Sequence, residues 1–182
     1  EEGDLGFRLT VWDNDINEAT DEVHVYVVII NQTDIYSVQY ATDAGSDDNC
    51  FPSSFDSQTV EVTGVVSAVN SGTYANFFLE DMEEDGWAGI YVFDNSVDPE
   101  IGDNITLTAE VTEYYGVTEL SYVSDFTINS IGNSPNITSL STGTLGLSCS
   151  ESGEMYEGML VKFNNITIES IDAEYSSWYV ND

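Results

Sequence analysis

Basic residues are almost absent. Arg8 and Lys162 face 34 Asp and Glu, for a formal net charge of -32. Two cations cannot form the stripe that neutralises phosphates and releases counterions, which excludes DNA, RNA and anionic lipid as partners. Histidine is reduced to His24, set in an apolar run, so Ser-His-Asp and Cys-His nucleophiles have no partner set. Two cysteines and one histidine make no four-ligand zinc site. No stretch approaches roughly 18 consecutive apolar residues, so no membrane insertion is expected. The opening Glu1-Glu2-Gly3-Asp4 is no signal peptide, and the chain reads as already processed.

Apolar residues are not scarce: 41% hydrophobic and 12% aromatic suffice for a packed core despite the charge. That charge repels itself, so the fold is expected to rely on salt or bound cations. Cys50 and Cys149 lie at the entrance and the exit of the most strand-like block. In an exported protein they form one disulfide, closing a loop of roughly 100 residues and contributing about 4–5 kcal/mol in the chain-entropy model.

The patterning is of strands almost throughout, giving an all-β fold class. Phe7, Leu9 and Val11 share one parity; a polar turn from Asp13 to Glu22 follows; then comes Val23-His24-Val25-Tyr26-Val27-Val28-Ile29-Ile30, apolar on both faces. Residues 1–41 form this strand segment, and 42–57 read as a linker rich in Gly, Asp and Asn. In 58–132, Val60, Val62, Val66 and Ala68 alternate with Glu61, Thr63 and Ser67, and Gly64 marks a bend or bulge. Further strands are expected over Thr73–Met82, Trp87–Asp94, a run with Ile105, Leu107, Ala109 and Val111, and Val117–Ile131 with an interruption near Ser124-Asp125. Five strands in so short a span predict a small closed barrel. Residues 133–182 form a connection and a partial second β unit: Glu157–Val161 is similar to Thr63–Ser67, and Ser177–Asp182 to Asn76–Asp81.

These motifs carry a resemblance. Val60-Glu61-Val62-Thr63-Gly64-Val65-Val66, Asn76-Phe77-Phe78-Leu79-Glu80-Asp81, Trp87-Ala88-Gly89-Ile90-Tyr91-Val92, Ile101-Gly102-Asp103 and Glu113-Tyr114-Tyr115-Gly116-Val117-Thr118-Glu119-Leu120 resemble the OB-fold modules of bacterial secreted nucleases and related multidomain surface proteins. The similarity covers about 58–131 and, as a partial second copy, 156–182. Phe7-Arg8-Leu9-Thr10-Val11-Trp12-Asp13-Asn14-Asp15 and Asp21-Glu22-Val23 look like the end of a PKD or cadherin-like immunoglobulin-type domain, over about 6–30. The resemblance implies an OB-type barrel flanked by an immunoglobulin-like strand pair. It also implies an accessory, non-catalytic role, since in such nucleases catalysis lies in another domain. The shortage of basic residues departs from OB modules that bind nucleic acid.

Candidate sites follow from residue chemistry. Asp13, Asp15 and Glu22 supply the oxygens that calcium prefers. Asn31, Asn104, Asn136 and Asn165 open N-x-Thr sequons for N-linked glycans, and Ser and Thr between 134 and 152 offer O-linked positions. Glu80, Asp81, Glu83 and Glu84 read as a solvated acidic turn, and no catalytic residue is expected. Val23, Val25, Val27 and Ile29 would pair with another chain. The leading expectation is a non-catalytic extracellular protomer of a glycosylated surface filament, assembled from copies of itself by strand exchange. The alternative is an accessory binding or spacer module of a larger secreted nuclease or adhesin.

Overall fold

The computed structural model describes residues 3–12, 18–27, 30–46, 49–70, 76–145, 149–172 and 177–181. In chain order its elements are β1 (Gly3–Trp12), β2 (Glu18–Val27), β3 (Asn31–Gln32), α1 (Ile35–Gln39), β4 (Gly45–Ser46), β5 (Asn49–Cys50), β6 (Thr59–Asn70), β7 (Asn76–Glu80), β8 (Gly89–Phe93), β9 (Asn104–Tyr114) and β10 (Val117–Ser130). There follow β11 (Thr138–Leu140), a 3-10 turn at Thr142–Thr144, α2 (Glu151–Glu154), β12 (Val161–Phe163), β13 (Thr167–Asp172) and β14 (Ser177–Asn181). The protein is all-β, as its alternating patterns predict. One compact unit ends at Asn31 and a second begins at Gln32.

In the first unit β1 and β2 pair antiparallel, from Gly3 opposite Val27 to Trp12 opposite Glu18. Strand β2 therefore begins within the stretch expected to be a turn. Glu18, Thr20 and Glu22 alternate along it with Ala19, Asp21 and Val23, so the stretch is strand although its composition is that of a turn. The register places Leu5, Phe7, Leu9 and Val11 on the face of Val23 and Val25. Asp4, Gly6, Arg8 and Thr10 share the other face with Tyr26, His24, Glu22 and Thr20. Val28 and Ile29 of the segment expected to be apolar on both faces lie outside the described residues.

The second unit is built on five strands in the order β6-β7-β8-β10-β9, with β9 returning to β6. Strand β6 makes both contacts: Thr59 to Val65 pair with β9, and Val65 to Asn70 pair with β7. That shared strand closes the sheet into a ring of five strands. Strands β8 and β10 run parallel, while the other contacts in the ring are antiparallel. Inside lie Val60, Val62, Val66, Phe77, Leu79, Ile90, Val92, Ile105, Leu107 and Leu120, each 2% exposed or less. Burying such a side chain stabilises by roughly 1.5–3 kcal/mol apiece.

Helix α1, absent from the sequence expectation, is part of this core. Its five residues are too few to display a 3.6-residue period. Asp34 caps it, accepting from Ser37 N at 2.6 Å, and Ile35 and Val38 are fully buried among the ring's side chains. Gly64 makes room for it, since a Cβ there would lie 2.9 Å from Ile35 Cδ1 and 3.1 Å from Glu80 O. The bulge expected at Gly64 falls between Val66 and Ala68 instead.

A strap from Cys149 to Leu160 is fastened to the barrel at several points. The Cys50–Cys149 disulfide joins it to the end of β5, with Cα atoms 5.6 Å apart. Trp87 N donates to Met155 O at 2.6 Å, Thr118 N donates to Glu157 Oε1 at 3.0 Å, and Leu160 N donates to Glu80 Oε1. Trp87, Phe51 and Cys50 pack beside Tyr36 and Met155 under this crossing. Its backbone touches that of β8, where a Cβ on Gly158 would sit 2.7 Å from Gly89 C. Gly158 also has φ +69°, a conformation side chains resist. Gly158→Ala should lower the denaturation midpoint by the equivalent of about 2–3 kcal/mol. Gly132→Ala, at φ +73° with nothing within 4 Å, should cost only about 1 kcal/mol. Equal midpoints for the two variants would refute this packing argument.

Beyond the strap, β12 pairs parallel with β11, and β13 and β14 form a hairpin. Glu157 to Leu160, expected to open a strand by similarity to Thr63–Ser67, is turn, with β12 beginning at Val161.

Candidate functional site

The outer surface of the ring carries a set of aromatic side chains. Phe78 on β7 stands opposite Tyr91 on β8 with ring centroids 5.0 Å apart, and Tyr91 lies 6.3 Å from Phe93. Their alternation with the buried Phe77, Leu79, Ile90 and Val92 dictates this direction, because successive strand residues point to opposite faces. The neighbouring strand β10 presents Glu119 opposite Tyr91 and Ser121 opposite Phe93, and across β9 Glu119 meets Thr112.

Two backbone irregularities deepen this surface. Strands β9 and β10 are joined at Tyr115-Gly116, both at positive φ, as a two-residue type I′ turn requires. Tyr114 and Tyr115 are exposed there with rings packed edge to face at 4.8 Å. Strand β10 loses register between Ser121 and Asp125, and Tyr122, at φ 57°, is turned outward and 76% exposed. Asp94 holds the bulge by accepting from Val123 N at 2.9 Å. The result is a cleft of about 490 Å³ with Glu119 and Ser121 on its floor and Phe93, Tyr114 and Tyr122 among its walls. Burial, with the charge of Glu113 added, moves the Glu119 carboxyl above its ordinary value, although Ser121 opposes this. Asp94 is lowered, because hydrogen bonds from Ser96 and Val123 outweigh its desolvation.

A second group of acids gathers where the strap meets the ring. Glu113 Oε1 accepts from Ser53 N and from Thr118 Oγ1, each at 2.7 Å, while its Oε2 is buried without a partner. Burial and neighbouring carboxylates raise Glu157 to about 8 and Glu154 to about 7. Glu154 Oε1 lies 2.9 Å from Cys50 Sγ. A disulfide sulfur has no hydrogen to donate, so that contact suits the protonated acid. Glu80 is likewise raised by burial. Expected on a solvated turn, it is 1% exposed and serves as an acceptor for the strap.

Of the residues singled out from sequence, Cys50 and Cys149 are bonded as expected. Asp13, Asp15 and Ile29 lie outside the described residues. Glu22 stands within β2 opposite Arg8, four residues beyond the strand's start, and not in the turn. Among the described residues no group of three or more His, Cys, Asp or Glu is arranged to hold a metal ion. Asn31, Asn136 and Asn165 are exposed. Asn104 is half-buried, with its Oδ1 accepting from Asn129 Nδ2 at 3.0 Å. Among the described residues no helix is long and apolar enough to cross a membrane.

Sequence reasoning missed the cleft and the buried acids. Adjacent tyrosines in a Tyr-Tyr-Gly turn were a usable signal for the first, because a turn cannot bury two neighbouring rings. Glu154 and Glu157 look like any other acid in a chain with 34 of them. No protein-family model and no curated protein sequence matches this chain.

Proposed function

We propose that the chain is a non-catalytic, extracellular binding and spacer module of OB type, of the kind carried by larger secreted nucleases and surface proteins. The observation that carries this reading is the aromatic face Phe78–Tyr91–Phe93 continuing into the tyrosine-walled cleft. OB-type barrels bind chain-like ligands on the face of their second and third strands and on the loop between the fourth and fifth. Here those positions are β7, β8 and the Tyr115-Gly116 turn. Aromatic rings stack on sugars, bases and organic cations alike, but a net charge of -32 disfavours every phosphate-bearing ligand. The disulfide supports an oxidising compartment.

The β1–β2 hairpin favours a second reading, a filament joined by strand exchange. It is a two-stranded sheet with Leu5, Phe7, Leu9, Val11, Val23 and Val25 on one face, and an isolated hairpin is at best marginally stable in water. Light scattering on a sizing column, with electron microscopy of the same sample, separates the two. A monomeric full chain supports the module. Polymers that disappear on deletion of residues 1–30 support the filament and overturn the first reading.

A further inference from the structure

We infer that the cleft between β8, β9 and β10 binds an organic cation, an alkylated ammonium group seated over Glu119 and enclosed by Phe93, Tyr114 and Tyr122; this rests on the reading of the chain as a binding module. Glu119 is 7% exposed, yet among the described residues its carboxylate accepts one long hydrogen bond, from Ser121 Oγ at 3.4 Å. A buried carboxylate with so little compensation is costly unless a cation neutralises it. Within the unit that holds the cleft the one basic residue is Lys162, exposed on β12. Burial, with the charge of Glu113 added, moves the carboxyl upward, the direction in which its charged form is disfavoured.

The walls narrow the class of cation. Hard metal ions require six or more oxygens, whereas the floor offers one buried carboxylate among rings. Asp94, the other acid on the lining, is already held by Ser96 N at 2.6 Å and by Val123 N. Tyrosine and phenylalanine faces attract diffuse cations with methyl or methylene substituents, and binding there also buries apolar surface. Phe93, Tyr114 and Tyr122 are 48%, 60% and 76% exposed, so their rings are open to such a ligand. The volume of about 490 Å³ suits a small molecule. A neutral sugar would stack on the same rings but leave the Glu119 charge uncompensated.

The test uses the full chain at pH 8, with amide chemical shifts and calorimetry as readouts. The probes are choline, its uncharged carbon isostere 3,3-dimethylbutan-1-ol, and a neutral oligosaccharide. Choline should perturb Phe93, Tyr114 and Tyr122, and the isostere should bind about tenfold more weakly or worse. Glu119→Gln, which keeps the shape and removes the charge, should weaken choline about tenfold and leave the isostere unchanged. Tyr122→Ala, on an exposed bulge, should weaken both with an unaltered circular dichroism spectrum. Equal affinity for choline and the isostere, or full choline affinity in Glu119→Gln, overturns the cation inference while cleft binding survives. Oligosaccharide binding without choline binding does the same. If no probe perturbs the cleft, the cation inference and the binding-module reading fall together.

Discussion

Lowering the pH from about 8.5 to 5 should raise the melting temperature of this protein, opposite to the behaviour of folds whose carboxylates are paired in ion bridges. Glu157 titrates at about 8 and Glu154 at about 7 in the fold, against 4.5 in the open chain. Between those values the folded state holds more protons than the unfolded one, so stability falls as pH rises. The contribution is complete below about 4.5 and lost as pH passes through about 8. For Glu157, the more deeply buried of the two, the effect is on the order of 3 kcal/mol, or roughly 10 °C in a chain of this size. Repulsion among the remaining acids acts in the same direction, so a control is needed. Glu157→Gln keeps the acceptor for Thr118 N and removes the titration; it should flatten the profile and raise the melting temperature at pH 8. Glu151→Gln, on the same strap but exposed, removes the same formal charge and should change little. Parallel profiles for wild type and Glu157→Gln would show that this acid is not the source.

Reduction of Cys50–Cys149 should produce the other large effect. The bond spans 99 residues, so its loss restores about 4–5 kcal/mol of loop entropy to the unfolded chain. The strap then keeps its hydrogen bonds, the packing of Met155 beside Trp87 and the close approach of Gly158 to Gly89. The Cys50→Ser, Cys149→Ser variant should melt roughly 10–20 °C lower. Its earliest-exchanging amides should be those of Met155, Glu157 and Leu160, while the core strands β6 and β9 stay protected until global unfolding. A variant melting within a few degrees of the wild type would mean that the strap's remaining contacts suffice.

The strand pattern was legible because each barrel strand alternates over enough residues to be counted. Val60 to Val66 and Ile105 to Val111 also show which face is inside. Helix α1 was not legible, since five residues do not complete enough turns to display a period. The start of β2 was obscured by Glu18, Thr20 and Glu22, which read as turn by composition although every second position of a one-sided strand is free to be polar. The disulfide was deducible by elimination, two cysteines allowing one intramolecular pair.

The sequence by itself determined the all-β class, the inward faces of the barrel strands, the pairing of Cys50 with Cys149 and the net charge of -32. These depend on local alternation and on summed charge, which need no knowledge of distant neighbours. Tertiary structure alone decided that β6 is shared by β7 and β9 to close the ring, that Glu80 is buried, and that Glu154 and Glu157 of the strap are partly desolvated. It likewise decided that Glu119 meets Tyr91 and Thr112 on a common surface. Each is a meeting of residues far apart in the chain, and whether an acid is solvated or desolvated depends on what crosses above it, which its own neighbours in sequence do not encode.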